Sequence, residues 1–363
     1  MTDTVAAAPR EDDRSITTLE GLLQHGLTSQ ESALGLVEVV DKFPVRITSE
    51  MRRASNANDP NDPISRQFIP TANELRVRNE ERGDPIGDGA FTKLKGVVHR
   101  YPDRILLLPT QTCQVYCRFC FRREKVGRGG ESLRTEELAA ALEYIRETTE
   151  AWEVIVSGGD PFLIGDRRLQ EILESLDAIE HVEVIRFHTR IPVVEPARIT
   201  EKLLDLLSRR RCAIYIVLHI NHPNELTKGA KDACAALADR GIPLLSQSVL
   251  LKGVNDSAEV LSALMRALIC NRIKPYYLHH LDVAQGTDHF RVSIADGQEI
   301  VRTMRGRVSG ICQPLYVLDV PGGYGKVPIG PSYISKLGED EYRIQDYKGG
   351  THGYRDLAHS ATP

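Results

Sequence analysis

The stretch CQVYCRFC, Cys113 to Cys120, sets three of the chain's seven cysteines at the spacing C-x3-C-x2-C. Thiols crowded in this way bind metal or carry out redox chemistry. A structural zinc site takes four protein ligands, usually in two pairs. A closed 4Fe–4S cluster also takes four cysteines. Three thiolates on such a cubane leave one iron with an open coordination position, which the amino and carboxylate groups of a small molecule can chelate. Cys113, Cys117 and Cys120 therefore predict a cluster whose vacant corner receives a substrate-like cofactor. Zinc, or an electron-transfer cluster with a fourth ligand elsewhere, is the competing reading. Cys212, Cys234, Cys270 and Cys312 stand alone in apolar surroundings and read as buried small hydrophobes.

A second chemical motif is PGGYGKVPIGPSY, Pro321 to Tyr333. It is not a phosphate loop of the form G-x4-G-K-[ST], because Val320 and Val327 stand where that motif needs glycine and a hydroxyl. The bland alternative is a flexible glycine loop with a solvated lysine. The chemical reading places Lys326 on a mobile, sterically open loop, where its amine forms a Schiff base with pyridoxal phosphate.

Both motifs need a rigid frame, and the surrounding pattern supplies one. From Arg104 onward, short β-branched runs alternate with amphipathic helical segments. The expected strands start at Ile105, Glu153, Val182, Ala213, Ile242 and Lys274, and a seventh run, LYVLDV, starts at Leu315. This rhythm predicts an α/β fold, a partial parallel (β/α)6 barrel. Polar groups follow each strand in turn: the cysteines, then SGGDP at Ser157, HTR at His188, HINHPNE at His219, SQS at Ser246 and HHLD at His279. Side chains at the C-terminal ends of successive parallel strands converge on one mouth. The expected organisation is a disordered tail at 1–15, an N-terminal helical region at 16–98, the barrel with the lysine loop at 99–335 and a C-terminal tail at 336–363. Ser29 is a candidate N-cap within the helical region.

Composition narrows the class. The 363 residues are 41% apolar with a formal charge of −4, which gives no global basic field for nucleic acid or an anionic membrane. The first residues form no apolar signal region, and no apolar run approaches the roughly 18 residues of a membrane span. An odd cysteine count without an export signal argues against a disulfide framework and for the cytoplasm.

With both motifs in place, the chain resembles the lysine 2,3-aminomutase family of the radical S-adenosylmethionine superfamily, including the branch that supplies β-lysine for elongation factor P. The likeness runs from DPNDPISRQFIP at Asp59 through HRYPDRILLL, CQVYCRFCFRRE, SGGDP, NHPNE, QSVLLKGVND, PYYLHHLD and DHFR to PGGYGK. It implies an isomerase that uses a 4Fe–4S cluster, S-adenosylmethionine and pyridoxal 5′-phosphate to turn L-lysine into β-lysine. Cys113, Cys117 and Cys120 would bind the cluster and Lys326 the pyridoxal phosphate. Arg100, Tyr101 and Arg104 would hold its phosphate, which suits planar forks plus a hydroxyl. Gly158, Gly159 and Asp160 would face the methionine end of S-adenosylmethionine, and His219 and Gln247 would contact the same cofactor. Arg122 would bind the substrate carboxylate, and Asp282 and Asp319 its distal ammonium. Two carboxylates favour a cationic side chain, so arginine shares the expected charge while glutamate would need a cation there.

The same resemblance implies an external reductant of the flavodoxin or ferredoxin class and a homo-oligomer, a dimer. No cysteine follows Cys312, so the interface zinc site of the larger clostridial-type enzymes, and the tetramer seen with it, are not expected. A radical enzyme acting on a macromolecule would favour a basic surface. The only short basic run, Arg209 to Arg211, reads instead as a helix C-terminus. An iron–sulfur sensor would need neither the pyridoxal lysine nor the paired aspartates.

Overall fold

A computed structural model describes residues 14–56, 59–127 and 132–357, so the expected tail at 1–15 lies almost entirely outside the described residues. Ten strands form one sheet in chain order: β1 Thr92–Leu94, β2 Val97–Tyr101, β3 Arg104–Thr110, β4 Glu153–Gly158, β5 Val184–Thr189, β6 Ala213–His219, β7 Leu244–Val249, β8 Ile273–His279, β9 Leu315–Val320 and β10 Gly325–Pro328. Strands β3 to β9 pair in parallel, while β1, β2 and β10 add antiparallel edges. All seven apolar runs become strands, and the parallel set includes the seventh run as well as the expected six.

The pleat sorts these strands into two faces. Ile105, Leu107, Val154, Val156, Ile185, Phe187, Ile216 and Leu218 are buried. They pack with the apolar stripes of the crossover helices, such as Leu138, Ala141 and Ile145 of helix Thr135–Glu147, and Leu169, Ile172 and Leu176 of helix Asp166–Asp177. The opposite face carries half-buried Arg186, His188, Tyr215, His219, Gln247 and His279. That face becomes a lumen because the sheet curls. Lys326 on β10 donates its backbone N–H to the hydroxyl of Tyr101 on β2 at 2.9 Å. Eight strand steps separate these two strands, roughly 38 Å in a flat sheet at about 4.8 Å per step. Only strong curvature brings them into contact.

The N-terminal region forms short helices at Leu19–Gln24, Gln30–Leu34, Val37–Lys42, Ser49–Ala54 and Pro63–Phe68. Ser29 caps as expected, accepting from the N–H of Ser32 at 3.1 Å. This region is tied to the cysteine loop. Arg118 donates its backbone N–H to Gln67 O at 2.8 Å, and Tyr116 donates to Arg46 O at 3.0 Å. Glu74, with no exposed side-chain surface, accepts from Arg118 Nε at 3.0 Å and also pairs with Arg123. Burial alone would raise the Glu74 carboxyl, but the two guanidiniums overcome it and hold the group below its usual range.

Three stretches differ from the expected organisation. The sheet begins at Thr92, before the expected boundary at 99. The expected C-terminal tail contains an antiparallel sheet of β11 Ile334–Lys336, β12 Glu341–Gln345 and β13 Thr351–Arg355. Its alternating polar and apolar residues bury little, so the sequence offered only weak periodicity there. Cys270 is exposed at the end of helix Ala258–Cys270, away from the buried stripe of Leu261, Leu264 and Leu268, which corrects its reading as a core residue. Cys212, Cys234 and Cys312 are buried. Among the described residues no helix is long and apolar enough to cross a membrane.

Glu74→Ala would leave two buried guanidiniums without their partner, at a cost of roughly 3–5 kcal/mol. The urea midpoint should fall accordingly, and an unchanged midpoint would show that the Arg118 and Arg123 pairs add nothing to the fold.

Candidate active site

The cysteine loop follows β3 directly. Cys113, Cys117 and Cys120 line one small cavity with Phe43, Tyr116 and Arg123. Burial raises all three thiols, pushing Cys120 up to about 11, and thiolate neighbours raise Cys113 and Cys120 further. Thiols placed so need a cationic metal group to hold them as thiolates. Among the described residues no three His, Cys, Asp or Glu side chains converge on the position of a single ion. A cubane asks for something wider, since each thiolate meets a different iron. The donor set and its spacing therefore fit a cluster better than a mononuclear zinc.

The glycines of SGGDP serve the same loop. Gly158 has φ +107°, and a Cβ there would stand 2.3 Å from Thr110 O; at Gly159 it would stand 2.2 Å from Thr112 O. Gly159 and Asp160 donate their N–H groups to these two carbonyls, both at 2.8 Å. The Asp160 carboxylate accepts from Thr189 Oγ1 and from the N–H of Arg190, each at 2.7 Å. The expected methionine-facing turn is thus also a clamp that joins β4 to the cysteine loop and to β5.

The guanidinium of Arg190 donates to Cys117 Sγ at 2.8 Å, to Gln67 Oε1 at 2.7 Å and to Glu225 Oε2 at 2.7 Å. Its neighbour His219 stacks on Phe119, centroids 5.7 Å apart and planes 18° apart. His219 and Gln247 are register partners on β6 and β7, so both expected cofactor contacts stand side by side on the lumen face. Burial first, then the charge of Arg190, holds His219 well below its usual pKa, so the ring is neutral.

Lys326 lies on β10 rather than in an open loop, directly opposite Asp319 on β9. The turn between them contains Gly322, Gly323 and Gly325, all at positive φ. Gly87 packs against this turn, and a Cβ there would stand 2.6 Å from Gly323 N. Lys326 Nζ meets Asp319 Oδ1 at 2.7 Å and Oδ2 at 2.6 Å, and His279 Nδ1 lies 3.5 Å from the same carboxylate. Burial would raise Asp319, but His279 and the Lys326 ammonium outweigh it and keep the group ionised. His188 faces the same space: burial, then the charges of Arg186 and Lys326, keep it neutral, and its buried Nε2 has no hydrogen-bond partner.

The expected anion ligands are only partly gathered. Asp88 joins two of them, accepting from Arg100 at 3.0 Å and from Arg122 at 2.9 Å. Arg104 instead pairs with Asp103 at 2.6 Å and stacks over the Tyr101 ring at 3.8 Å. Pyridoxal phosphate fits these residues: an amine, a phenol and guanidiniums stand around a lumen with an unpartnered imidazole nitrogen. Sequence reasoning missed Gln67, Glu74, Asp88, Arg190 and Glu225. Gln67, Arg190 and Glu225 sit inside motifs already noted, RQF, HTR and HPNE, whereas a lone Asp88 carries no local signal.

Residues 107–264 match the model of the Radical SAM superfamily, and residues 301–361 match the Lysine-2,3-aminomutase model. The L-lysine 2,3-aminomutase of Clostridium subterminale is 40% identical over 92% of this chain and 80% of its own. The glutamate 2,3-aminomutase of Clostridioides difficile is 36% identical over 89% of this chain and 76% of its own. Among solved structures, a radical SAM methyltransferase from Sphaerobacter thermophilus aligns with a TM-score of 0.42 at 20% identity, over 61% of this chain and 68% of that one.

Asp282 behaves unlike Asp319. Burial, then the charge of Asp319, raises its carboxyl to about 7, against the lowering effect of Lys326 and Arg291. An unfolded aspartate ionises near 4. Between about pH 4 and about 7 the folded chain keeps a proton that the unfolded chain has lost, so stability declines as pH rises through that window. In the cofactor-free protein, the Tm advantage of Asp282→Asn over the parent should grow from pH 4 to 7 and then level off. A constant difference would contradict the raised carboxyl.

Proposed function

Because the chain belongs to the lysine 2,3-aminomutase family of the radical SAM superfamily, we propose that it moves the 2-amino group of L-lysine to C3, giving β-lysine. Its cofactors are a 4Fe–4S cluster, S-adenosylmethionine and pyridoxal phosphate. The observation that supports lysine is the pair Asp282 and Asp319, close enough for the charge of one to shift the other. Asp319 already holds an alkylammonium, that of Lys326. A glutamate side chain would bring a third carboxylate to this corner, where Lys326, the ammonium that Asp319 holds, is required by the cofactor.

When bound, the cluster with S-adenosylmethionine supplies a carbon radical that takes a hydrogen atom, and pyridoxal phosphate supplies a conjugated ring that spreads the unpaired electron. The chain's own residues do the rest. Lys326 would hold pyridoxal phosphate through its amine, with Tyr101 fixing the strand start by accepting the Lys326 N–H. Asp319 would take the Lys326 ammonium whenever that amine is not engaged with the cofactor. Arg122 would grip the substrate carboxylate, and Asp282 with Asp319 the distal ammonium, which fixes C2 and C3 along the lumen. Neutral His188 and His219 add no competing charge. The enclosing sheet and the N-terminal region keep water away from reactive carbon. The isomerisation is redox-neutral overall, with one hydrogen leaving C3 and one returning to C2. An external one-electron donor of the flavodoxin or ferredoxin class would supply the electron the cluster needs, and the enzyme would work in the cytoplasm as a homodimer.

Anaerobically reconstituted protein with labelled L-lysine should yield β-lysine and leave L-glutamate unchanged; the reverse preference would overturn the substrate. Asp319→Ala and Asp282→Ala should each lower kcat/KM for lysine by roughly two to three orders of magnitude, as expected for losing one partner of a buried charge pair. Borohydride in the presence of pyridoxal phosphate should label Lys326, and labelling retained in Lys326→Ala would move the anchor elsewhere.

A further inference from the structure

We propose that Arg190 sets the reduction potential of the cluster held by Cys113, Cys117 and Cys120, and that Glu225 and Gln67 lock it in place for that role. This rests on the radical SAM reading of the cysteines. Arg190 is 6% exposed, and Gln67, Asn221 and Glu225 are fully buried. One guanidinium nitrogen donates to Cys117 Sγ at 2.8 Å; the other serves Glu225 and Gln67, both at 2.7 Å. The guanidinium carbon lies 4.6 Å from the centroid of Phe68 and 5.8 Å from that of Phe119, so apolar rings flank the charge.

Gln67 leaves this guanidinium little freedom. Its amide oxygen also accepts from Asn221 at 2.9 Å, while its amide nitrogen donates to Glu225 Oε1 and to Pro63 O, both at 3.0 Å. Glu225 Oε1 further accepts the N–H groups of Asn221 and His222 at 2.8 and 2.9 Å. The N–H of Arg190 is held by Asp160. The result is a fixed dipole, with its positive end on a cluster sulfur and its negative end on the far side.

A purely structural ion pair would not need this orientation. A buried Arg–Glu pair brings little net stability over an apolar substitute, and here one donor goes to a sulfur that the cluster would use. Reduction of the cluster by a low-potential one-electron donor would add one negative charge beside thiols largely withdrawn from water. A fixed positive charge and a hydrogen bond at the sulfur lower the energy of that reduced state. Glu225, on the far side, moderates the effect. Arg190 is thus a positioning residue that acts on the cluster through Cys117, and the N-terminal region takes part through Gln67.

The test compares the anaerobically reconstituted parent with Arg190→Gln and Glu225→Gln. Each is poised with dithionite and mediators, and the reduced fraction is read by EPR. Arg190→Gln should lower the reduced-to-oxidised ratio at a given poise at least tenfold, about 59 mV for a one-electron couple. Glu225→Gln, which leaves the guanidinium uncompensated, should move the ratio the other way. General loosening of the loop would shift both variants alike, and that result overturns the proposal. If Arg190→Gln holds no iron, Glu225→Gln decides alone, and a ratio equal to the parent's overturns it. Iron content and the EPR response of the parent to S-adenosylmethionine test the underlying reading separately. A parent lacking both sinks that reading, whereas a parent with both and variants with unchanged ratios sinks only the role of Arg190.

Discussion

Three thiols crowded and buried at the end of a strand resist ionising unless positive charge surrounds them, and much of this structure answers that constraint. Arg118 and Arg123 lie within or beside the cysteine motif, and both are pinned on Glu74. Arg190 reaches Cys117 from β5 and is pinned on Glu225. Each guanidinium is buried and paired, so the loop is framed by cations that do not wander. The N-terminal region completes the frame, since Glu74 and Gln67 belong to it. It is a wall of the site and not an appendage.

The other half of the site depends on sheet curvature. A lysine and an aspartate opposite each other on a β-hairpin would make an ordinary cross-strand pair. Here the hairpin closes a curled sheet, and Tyr101 from the far edge holds the start of β10. Curvature brings the lumen faces of β5 and β8 toward Lys326, so His188, sitting five strands away in the order, feels its charge, as does His279. The glycines of PGGYG give the tight turn, and Gly87 lets a second loop seat against it.

The two carboxylates at the mouth show how position divides like groups. Asp319 has an ammonium and an imidazole beside it and stays ionised. Asp282, taken out of water by burial and set beside Asp319, gives up its charge first. A single ammonium placed between them would favour both charges, whereas an acidic side chain would oppose them. The charge of this corner is therefore a property of the pair and not of either residue.

Much was legible without coordinates. The C-x3-C-x2-C spacing is local chemistry, and seven strands with their helices follow from periods of two and 3.6, because buried faces must be apolar wherever the chain passes. Resemblance over many motifs added the cofactors. Tertiary structure alone decided the rest. It put Lys326 on a strand opposite Asp319, turned the expected tail into a small sheet, and exposed Cys270. It also brought Gln67 and Glu225 to Arg190 beside Cys117, and Glu74 to Arg118 and Arg123. Sequence records which residues neighbour each other along the chain; long-range charge pairing depends on how far the sheet curls and which loops then meet, and that is set only when the whole core packs.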